Sequence, residues 1–191
     1  MKRILFLLKN ILANRKKFHF LRKKKHKIKK ITQLSVKFLT KQKIKFLILD
    51  FDGVLASCGS NVLEKEASRW LQSFSLCFKQ ENIFILSNNP SDIRKSFFKK
   101  KFPKISFITN VEKKPNPEGI IFVQKKKKCH SREIALVDDK VFTGILACLI
   151  SGETFPILLL EPYVNYDKYF LESILSFLYK KIERILLFLV R

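Results

Sequence analysis

The sequence predicts an α/β protein, a Rossmann-like parallel sheet flanked by helices, and three observations predict it. Short apolar runs alternate with amphipathic, helix-like segments through the middle of the chain, the pattern of repeated βαβ units. Most of these runs stop abruptly at polar residues, as strands do where an open sheet meets its ligand. The length of 191 residues and a hydrophobic fraction of 47% suit one packed domain, since a domain spans roughly 100–200 residues.

The first strand is expected at residues 44–49, where Leu47-Ile48-Leu49 runs into Asp50-Phe51-Asp52-Gly53. Alternate residues of a strand share a face, so Asp50 and Asp52 are placed to share one cation. The plainer reading of these four residues is an Asp/Gly turn. Asn61 followed by Glu64 reads as a capping box opening a helix, with Leu63, Ala67, Trp70, Leu71, Phe74 and Phe78 at core-facing helical spacing. A second strand at 82–86 ends in Ser87-Asn88-Asn89-Pro90, where Asn89 is expected to cap the next helix with Pro90 at its first position. A third strand at 105–109 leads to Lys113-Lys114-Pro115, and Asn116-Pro117 starts another helix. A fourth, at 133–137, ends in Asp138-Asp139. A helix over 141–151 follows, stopped by Gly152, and a fifth strand occupies 155–160. From about Tyr166 the chain reads as one amphipathic helix. Phe170, Ile174, Leu175, Leu178, Ile182, Ile185 and Leu189 recur at helical spacing, an apolar stripe expected to cover the sheet or, as the alternative, to touch a membrane with its very apolar end.

Charge divides the chain. The formal net charge is +23, no Asp or Glu precedes Asp50, and seventeen of the thirty-nine Lys and Arg lie in residues 1–49. Residues 1–43 therefore read as a basic amphipathic arm, residues 44–163 as the catalytic core, and residues 164–191 as the C-terminal helix. Such an arm suits an anionic surface, either a membrane or, with Phe18, Phe20 and Phe38 interleaved for stacking, a nucleic acid. Cys58, Cys77, Cys129 and Cys148 form no CxxC pair and no zinc spacing, which reads as reduced thiols in a cytoplasmic setting. The apolar run in residues 4–13 is too short for a membrane span. An acid-free basic leader also admits an organellar destination, although it is rich in Lys rather than Arg and Ser.

Four successive strand ends thus carry chemistry: Asp50 with Asp52, Ser87 with Asn88, Lys114, and Asp138 with Asp139. In a parallel sheet they converge on one edge. Acids, a hydroxyl and an ammonium together describe a magnesium-dependent phosphoryl-transfer site, because hard oxygen ligands select Mg²⁺ over zinc.

Over about residues 46–163 these motifs resemble the haloacid-dehalogenase (HAD) superfamily of phosphatases, and more narrowly its YqeG-type branch, which includes the phosphatidylglycerophosphate phosphatases. Ile85-Leu86-Ser87-Asn88-Asn89 resembles the second motif of that branch, Lys113-Lys114-Pro115 the third, and Asp139-Lys140-Val141-Phe142-Thr143-Gly144 the fourth. The resemblance implies that Asp50 is the nucleophile forming an aspartyl-phosphate and Asp52 the general acid/base. It implies that Ser87, Asn88 and Lys114 bind the phosphoryl group, and that Asp50, Asp52, Asp139 and Asp138 hold Mg²⁺. Two residues depart from the pattern. Gly53 stands where the branch usually has Asn, and Gly144 where a second metal-side Asp would sit, while Asp138 replaces a usual glycine and supplies an Asp-Asp pair.

The intervals between motifs each hold one helix and one strand, which leaves no room for a separate cap domain. An open site suits a phosphate on a large or anchored substrate. The leading expectation is a peripheral membrane phosphatase acting on phosphatidylglycerophosphate or a related lipid head group. The alternatives are a nucleic-acid end-processing or small-molecule phosphatase, and a HAD-fold binding or scaffold protein with weakened catalysis.

Overall fold

Each apolar run expected as a strand is one. In this computed structural model, which describes residues 2–189, the strands are β2 (Phe46–Leu49), β3 (Ile83–Ile85), β4 (Ser106–Phe107), β5 (Ile134–Asp138) and β6 (Phe155–Leu159). Met1 and residues 190–191, the outer ends of the expected arm and C-terminal helix, lie outside the described residues. A further strand, β1 (Lys27–Ile28), comes from the basic segment. Among the described residues these six form one parallel sheet in the order β1-β6-β5-β2-β3-β4. The helices are α1 (Lys2–Asn14), α2 (Val36–Lys41), α3 (Lys65–Cys77), α4 (Asp92–Lys101), α5 (Glu118–Lys127), α6 (Leu146–Ile150) and α7 (Phe170–Leu189).

The strand order follows from burial. β2 and β5 pair along Leu47↔Ala135 and Leu49↔Val137, and β2 pairs with β3 along Leu47↔Ile83. All of these residues are fully buried, as a central strand covered on both faces requires. Alternation then sorts the side chains. Leu47, Leu49, Ile85 and Val137 face Leu71 and Phe74 of α3 and Phe98 of α4. Ile48, Phe84 and Leu136 face Ile120 and Val123 of α5 and Ala147 of α6. Truncating one such residue to Ala would cost about 2–5 kcal/mol. The chain turns back across β2, with β3 and β4 on one side and β5 and β6 on the other. The carboxyl end of β2 is therefore the topological switch point, where open α/β sheets bind ligands.

Three local expectations are corrected. Glu64 starts α3 at its N-cap but makes no side-chain cap bond; its carboxylate accepts instead from Ser57 Oγ at 2.7 Å. The cap of α4 is Ser91, whose Oγ accepts from Arg94 N at 3.2 Å, not Asn89. The helix expected over 141–151 begins as a π-type turn, Val141–Ile145, and becomes α-helical only at Leu146. Such turns concentrate at functional sites.

The two ends of the chain differ more. The basic segment is no free arm. β1 pairs with Leu158 and Leu159 of β6, and Ile31, Leu34 and Leu39 join the main core. Ile11, Phe18 and Leu21 pack on Phe142, Ile145 and Leu146, and Trp70 Nε1 donates to Leu34 O at 3.1 Å. β6 would otherwise be an unpaired edge, and the short apolar clusters between the lysines supply what covers it. Arg22, Lys23, Lys24 and Lys25 remain exposed. The C-terminal helix is turned the opposite way from expectation. Phe170, Leu175, Leu178, Ile182 and Ile185 are exposed and Ile174 is half-buried, while Ser173 and Glu183 are buried.

Candidate active site

β2 ends at Leu49, so both acids of Asp50-Phe51-Asp52 lie beyond the strand. The chain bends there: Phe51 is buried, and Gly53 has φ +82°. A Cβ at Gly53 would lie 2.8 Å from the Asp139 carboxylate, so both the positive φ and the close approach require glycine. Beyond the end of the strand, Asp50 and Asp52 pair with different cationic side chains, Lys114 and Arg94.

Asp50 is buried. Its Oδ1 lies 2.8 Å from Lys114 Nζ, and that same ammonium lies 2.6 Å from Asp138 Oδ2. Lys114 is itself 1% exposed, so one buried cation serves two buried carboxylates. Burial pushes the Asp50 carboxyl up to about 7, with Lys114 pulling it down and Asp138 and Asp52 adding to the rise. Burial alone would lower the Lys114 ammonium, but Asp138 and Asp50 outweigh it and hold its pKa above the usual lysine value. Asn88 explains how Lys114 is aimed. Its Oδ1 accepts from Lys114 N at 2.8 Å, and its Nδ2 donates to Lys114 O at 3.2 Å. Asn88 thus clamps the backbone of Lys114.

Asp52 is held by a residue that sequence reasoning missed. Arg94, on α4 and 1% exposed, donates from Nη2 to Asp52 Oδ1 at 2.7 Å and from Nη1 to Oδ2 at 2.9 Å. Its remaining N–H groups donate to Ser60 O at 2.9 and 2.7 Å and to Asn89 O at 3.0 Å. The guanidinium lies 4.2 Å from the Phe51 ring centroid. All five donors are used, which only a planar fork allows. Ser87 joins this side of the site: its Oγ is 3.4 Å from Asp52 Oδ2 and accepts from Asn89 N at 3.1 Å.

Three of the four acids expected to hold a metal come together. One oxygen each from Asp50, Asp138 and Asp139 lies within 4.8 Å of the others, and all three residues are buried. Asp52 stands outside this group, fixed by Arg94. Both carboxylate oxygens of Asp139 are buried with no hydrogen bond of good geometry, and the nearest charge is Lys180 Nζ, 2.9 Å from Oδ2. Burial raises the Asp139 carboxyl, with Lys180 and Lys140 opposing. Buried carboxylate oxygens without donors beside two more carboxylates fit a hard divalent cation. By contrast, a groove of about 850 Å³ at the opposite, amino end of β2 and β5, lined by Ile44 and Glu133 among others, brings no such group of acids together.

Residues 7–161 match the family model described as mitochondrial PGP phosphatase. The chain belongs to that family. It is a HAD-type phosphatase with the parallel α/β fold expected. No curated protein sequence matches it. Solved structures it resembles include an uncharacterised protein from Corynebacterium glutamicum, 17% identical with a TM-score of 0.48 over 71% of this chain and 93% of that one. Another is the cobalt-bound deoxy-D-mannose-octulosonate 8-phosphate phosphatase from Haemophilus influenzae, 18% identical with a TM-score of 0.45 over 59% and 67%.

Within this phosphatase, Gly144 is accounted for by Asp138. A Cβ added at Gly144 would meet Asp138 Oδ2 at 2.2 Å and its Cγ at 2.5 Å. The Asp138 carboxylate therefore fills the space that a side chain at 144 would need, and it is anchored there by Lys114, by Lys140 N at 2.8 Å and by Thr143 Oγ1 at 3.3 Å. The glycine and the extra acid form one arrangement. Two further contributors come from α7, outside the matched residues. Lys180 reaches Asp139, and the buried Glu183 accepts from Phe142 N at 2.6 Å, closing the second N–H of the π-type turn. Burial pushes the Glu183 carboxyl up to about 7, against the pull of the Phe142 and Val141 N–H groups. A signal for Arg94 was present, as the one arginine of a helix whose other cations are lysines. Lys180 and Glu183 sit in a helix whose apolar stripe pointed attention to the wrong face.

Proposed function

We propose that this phosphatase hydrolyses the phosphomonoester of phosphatidylglycerophosphate, or of a related lipid, through an aspartyl-phosphate on Asp50. The observation that carries the reading is the buried Asp50–Lys114–Asp138 group beside a separately held Asp52. Asp50 Oδ attacks phosphorus, and the bond from phosphorus to the lipid alkoxide breaks. Asp52 gives its proton to the departing oxygen, then takes one from the water that attacks the aspartyl-phosphate, releasing inorganic phosphate. Lys114 offsets the charge of the phosphoryl oxygens, Ser87 Oγ donates to one of them, and Asn88 keeps Lys114 aimed. Arg94 orients Asp52. Asp50, Asp138 and Asp139 would hold Mg²⁺, which when bound lowers the repulsion between an anionic nucleophile and an anionic substrate.

Substrate class rests on three supports. The family model is that of a PGP phosphatase. The intervals between motifs leave no room for a separate cap. The basic N-terminal segment keeps Arg22 to Lys25 exposed at the surface, suited to an anionic membrane, where each basic residue contributes about 1 kcal/mol. Among the described residues no helix is long and apolar enough to cross a membrane, so the association proposed is peripheral. The family description favours an organellar membrane face over a cytoplasmic one. The test is phosphate release from phosphatidylglycerophosphate by purified protein, with and without Mg²⁺. Release should require Mg²⁺ and fall by about 10⁴-fold or more in Asp50→Asn; full activity of that variant would sink the mechanism.

A further inference from the structure

Helix α7 is amphipathic the wrong way round for a helix that covers a core. Its inner face is polar. Ser173 is buried with its Oγ donating to Asn165 O at 3.2 Å, Glu183 is buried against Phe142 N, and Lys180 reaches Asp139. Its outer face is a run of aliphatic side chains at helical spacing, Leu171, Leu175, Leu178, Ile182 and Ile185, which are 70%, 65%, 47%, 54% and 61% exposed. Lys181 and Arg184, both exposed, flank this stripe.

Helix α1 repeats the arrangement. Ile11 and Asn14 are buried, whereas Ile4, Leu5, Leu8 and Leu12 are exposed. Leu7 of α1 and Leu186 and Leu187 of α7 pack on the same cluster around Phe142 and Ile145. Both also border the site. Arg3 Nη2 donates to Lys114 O at 3.0 Å from one side, and Lys180 meets Asp139 from the other. Two helices with exposed apolar outer faces thus each touch a residue of the site that holds Asp50.

We propose that the outer faces of α1 and α7 together seat the protein on an anionic phospholipid bilayer, with the mouth of the site at the lipid headgroups. The charge selects this occupant. With a net charge of +23 and no acid in the first forty-nine residues, a second copy of the chain is repelled, whereas anionic lipid attracts both helices. Glu172, Lys180, Lys181, Glu183 and Arg184 prevent α7 from spanning a bilayer, and aliphatic side chains flanked by cations suit a helix lying in its interface. The inference deepens the reading of a membrane-presented substrate and can be tested without any turnover.

The experiment is co-sedimentation of the full chain with vesicles of phosphatidylcholine alone and of phosphatidylcholine mixed with phosphatidylglycerol. The wild type should sediment with the mixed vesicles and not with phosphatidylcholine alone. The triple variant Leu171→Gln/Leu175→Gln/Ile182→Gln should bind the mixed vesicles about tenfold or more weakly, with an unchanged melting temperature and unchanged hydrolysis of p-nitrophenyl phosphate. The single variants Leu175→Gln and Ile182→Gln should give smaller, graded losses, which keeps the test informative if the triple variant folds poorly. Asp50→Asn should bind vesicles as the wild type does, so a failure of the catalytic reading leaves this readout standing. Unchanged binding by all the glutamine variants would overturn the proposal. So would equal binding to both vesicle types, or a wild-type dimer in solution that the triple variant converts to monomer.

Discussion

Asp50 and Asp52 stand two residues apart and are held in opposite ways. Asp50 shares a single ammonium with a second buried carboxylate, so two negative charges compete for one positive charge. Asp52 has a guanidinium to itself, with one N–H on each of its oxygens. Its side chain is 19% exposed, against 8% for Asp50. The difference teaches what each carboxylate is prepared for. The Asp50 side is short of positive charge, which leaves it suited to a cation and to a phosphoryl group brought with it. The Asp52 side is electrostatically complete and rigid, which suits the proton-carrying role proposed for it, where a leaving group must be met at a fixed place.

Breaking the Asp50 side should have the largest effect. Lys114→Met keeps much of the volume and removes the charge, leaving Asp50 and Asp138 facing each other without a cation. The Asp50 carboxyl should then rise above 7, and the rate at neutral pH should fall by about 10³-fold, with the acidic limb of the pH–rate profile displaced upward. A profile whose acidic limb stays in place would show that Lys114 does not govern the ionisation of Asp50. Breaking the Asp52 side should act mainly on stability. Arg94→Lys retains a positive charge but loses the fork, so Ser60 O, Asn89 O or one Asp52 oxygen is left without a donor. The expected loss is about 3–5 kcal/mol in chemical denaturation, with a smaller, roughly tenfold loss of rate from misplacement of Asp52. Equal stability of wild type and variant would mean that the fork is dispensable.

The same contrast explains what could be read from the chain before its structure was seen. Asp50, Ser87, Lys114 and Asp138 stood out because each interrupts or follows an apolar strand, and parallel pairing brings such ends to one edge. Arg94 lies on a helix, where hydrophobic spacing does not distinguish a cation turned inward from one in water, and only its being the one arginine among lysines set it apart. The period-two argument that gave Asp50 and Asp52 a common face failed because β2 stops at Leu49, before either of them. The role of the basic segment was hidden by composition: Lys27-Ile28 forms a strand of two residues amid lysines, too short for any alternation to register. For α7 the period was right and the face was wrong. Hydrophobic spacing reports that one side of a helix is apolar, not whether that side meets the core or something outside the chain.

Glu183 offers the smallest and sharpest test, because it is the fourth buried carboxylate of this region and its close contacts are backbone N–H groups rather than a cation. Its carboxyl is raised from 4.5 to about 7, so between those values the folded protein binds a proton that the unfolded chain has released. Stability supplied by the protonated form is complete below about 4.5 and is lost as pH rises to about 7. At about 1.4 kcal/mol per unit the loss amounts to no more than about 3.5 kcal/mol. Glu183→Gln should flatten this slope while keeping an acceptor for Phe142 N, and urea denaturation at pH 5 and pH 8 measures it. The variant should gain relative to wild type at pH 8 and not at pH 5. A parallel offset at both values would mean that Glu183 is already ionised throughout, its charge carried by the N–H groups at the start of the π-type turn.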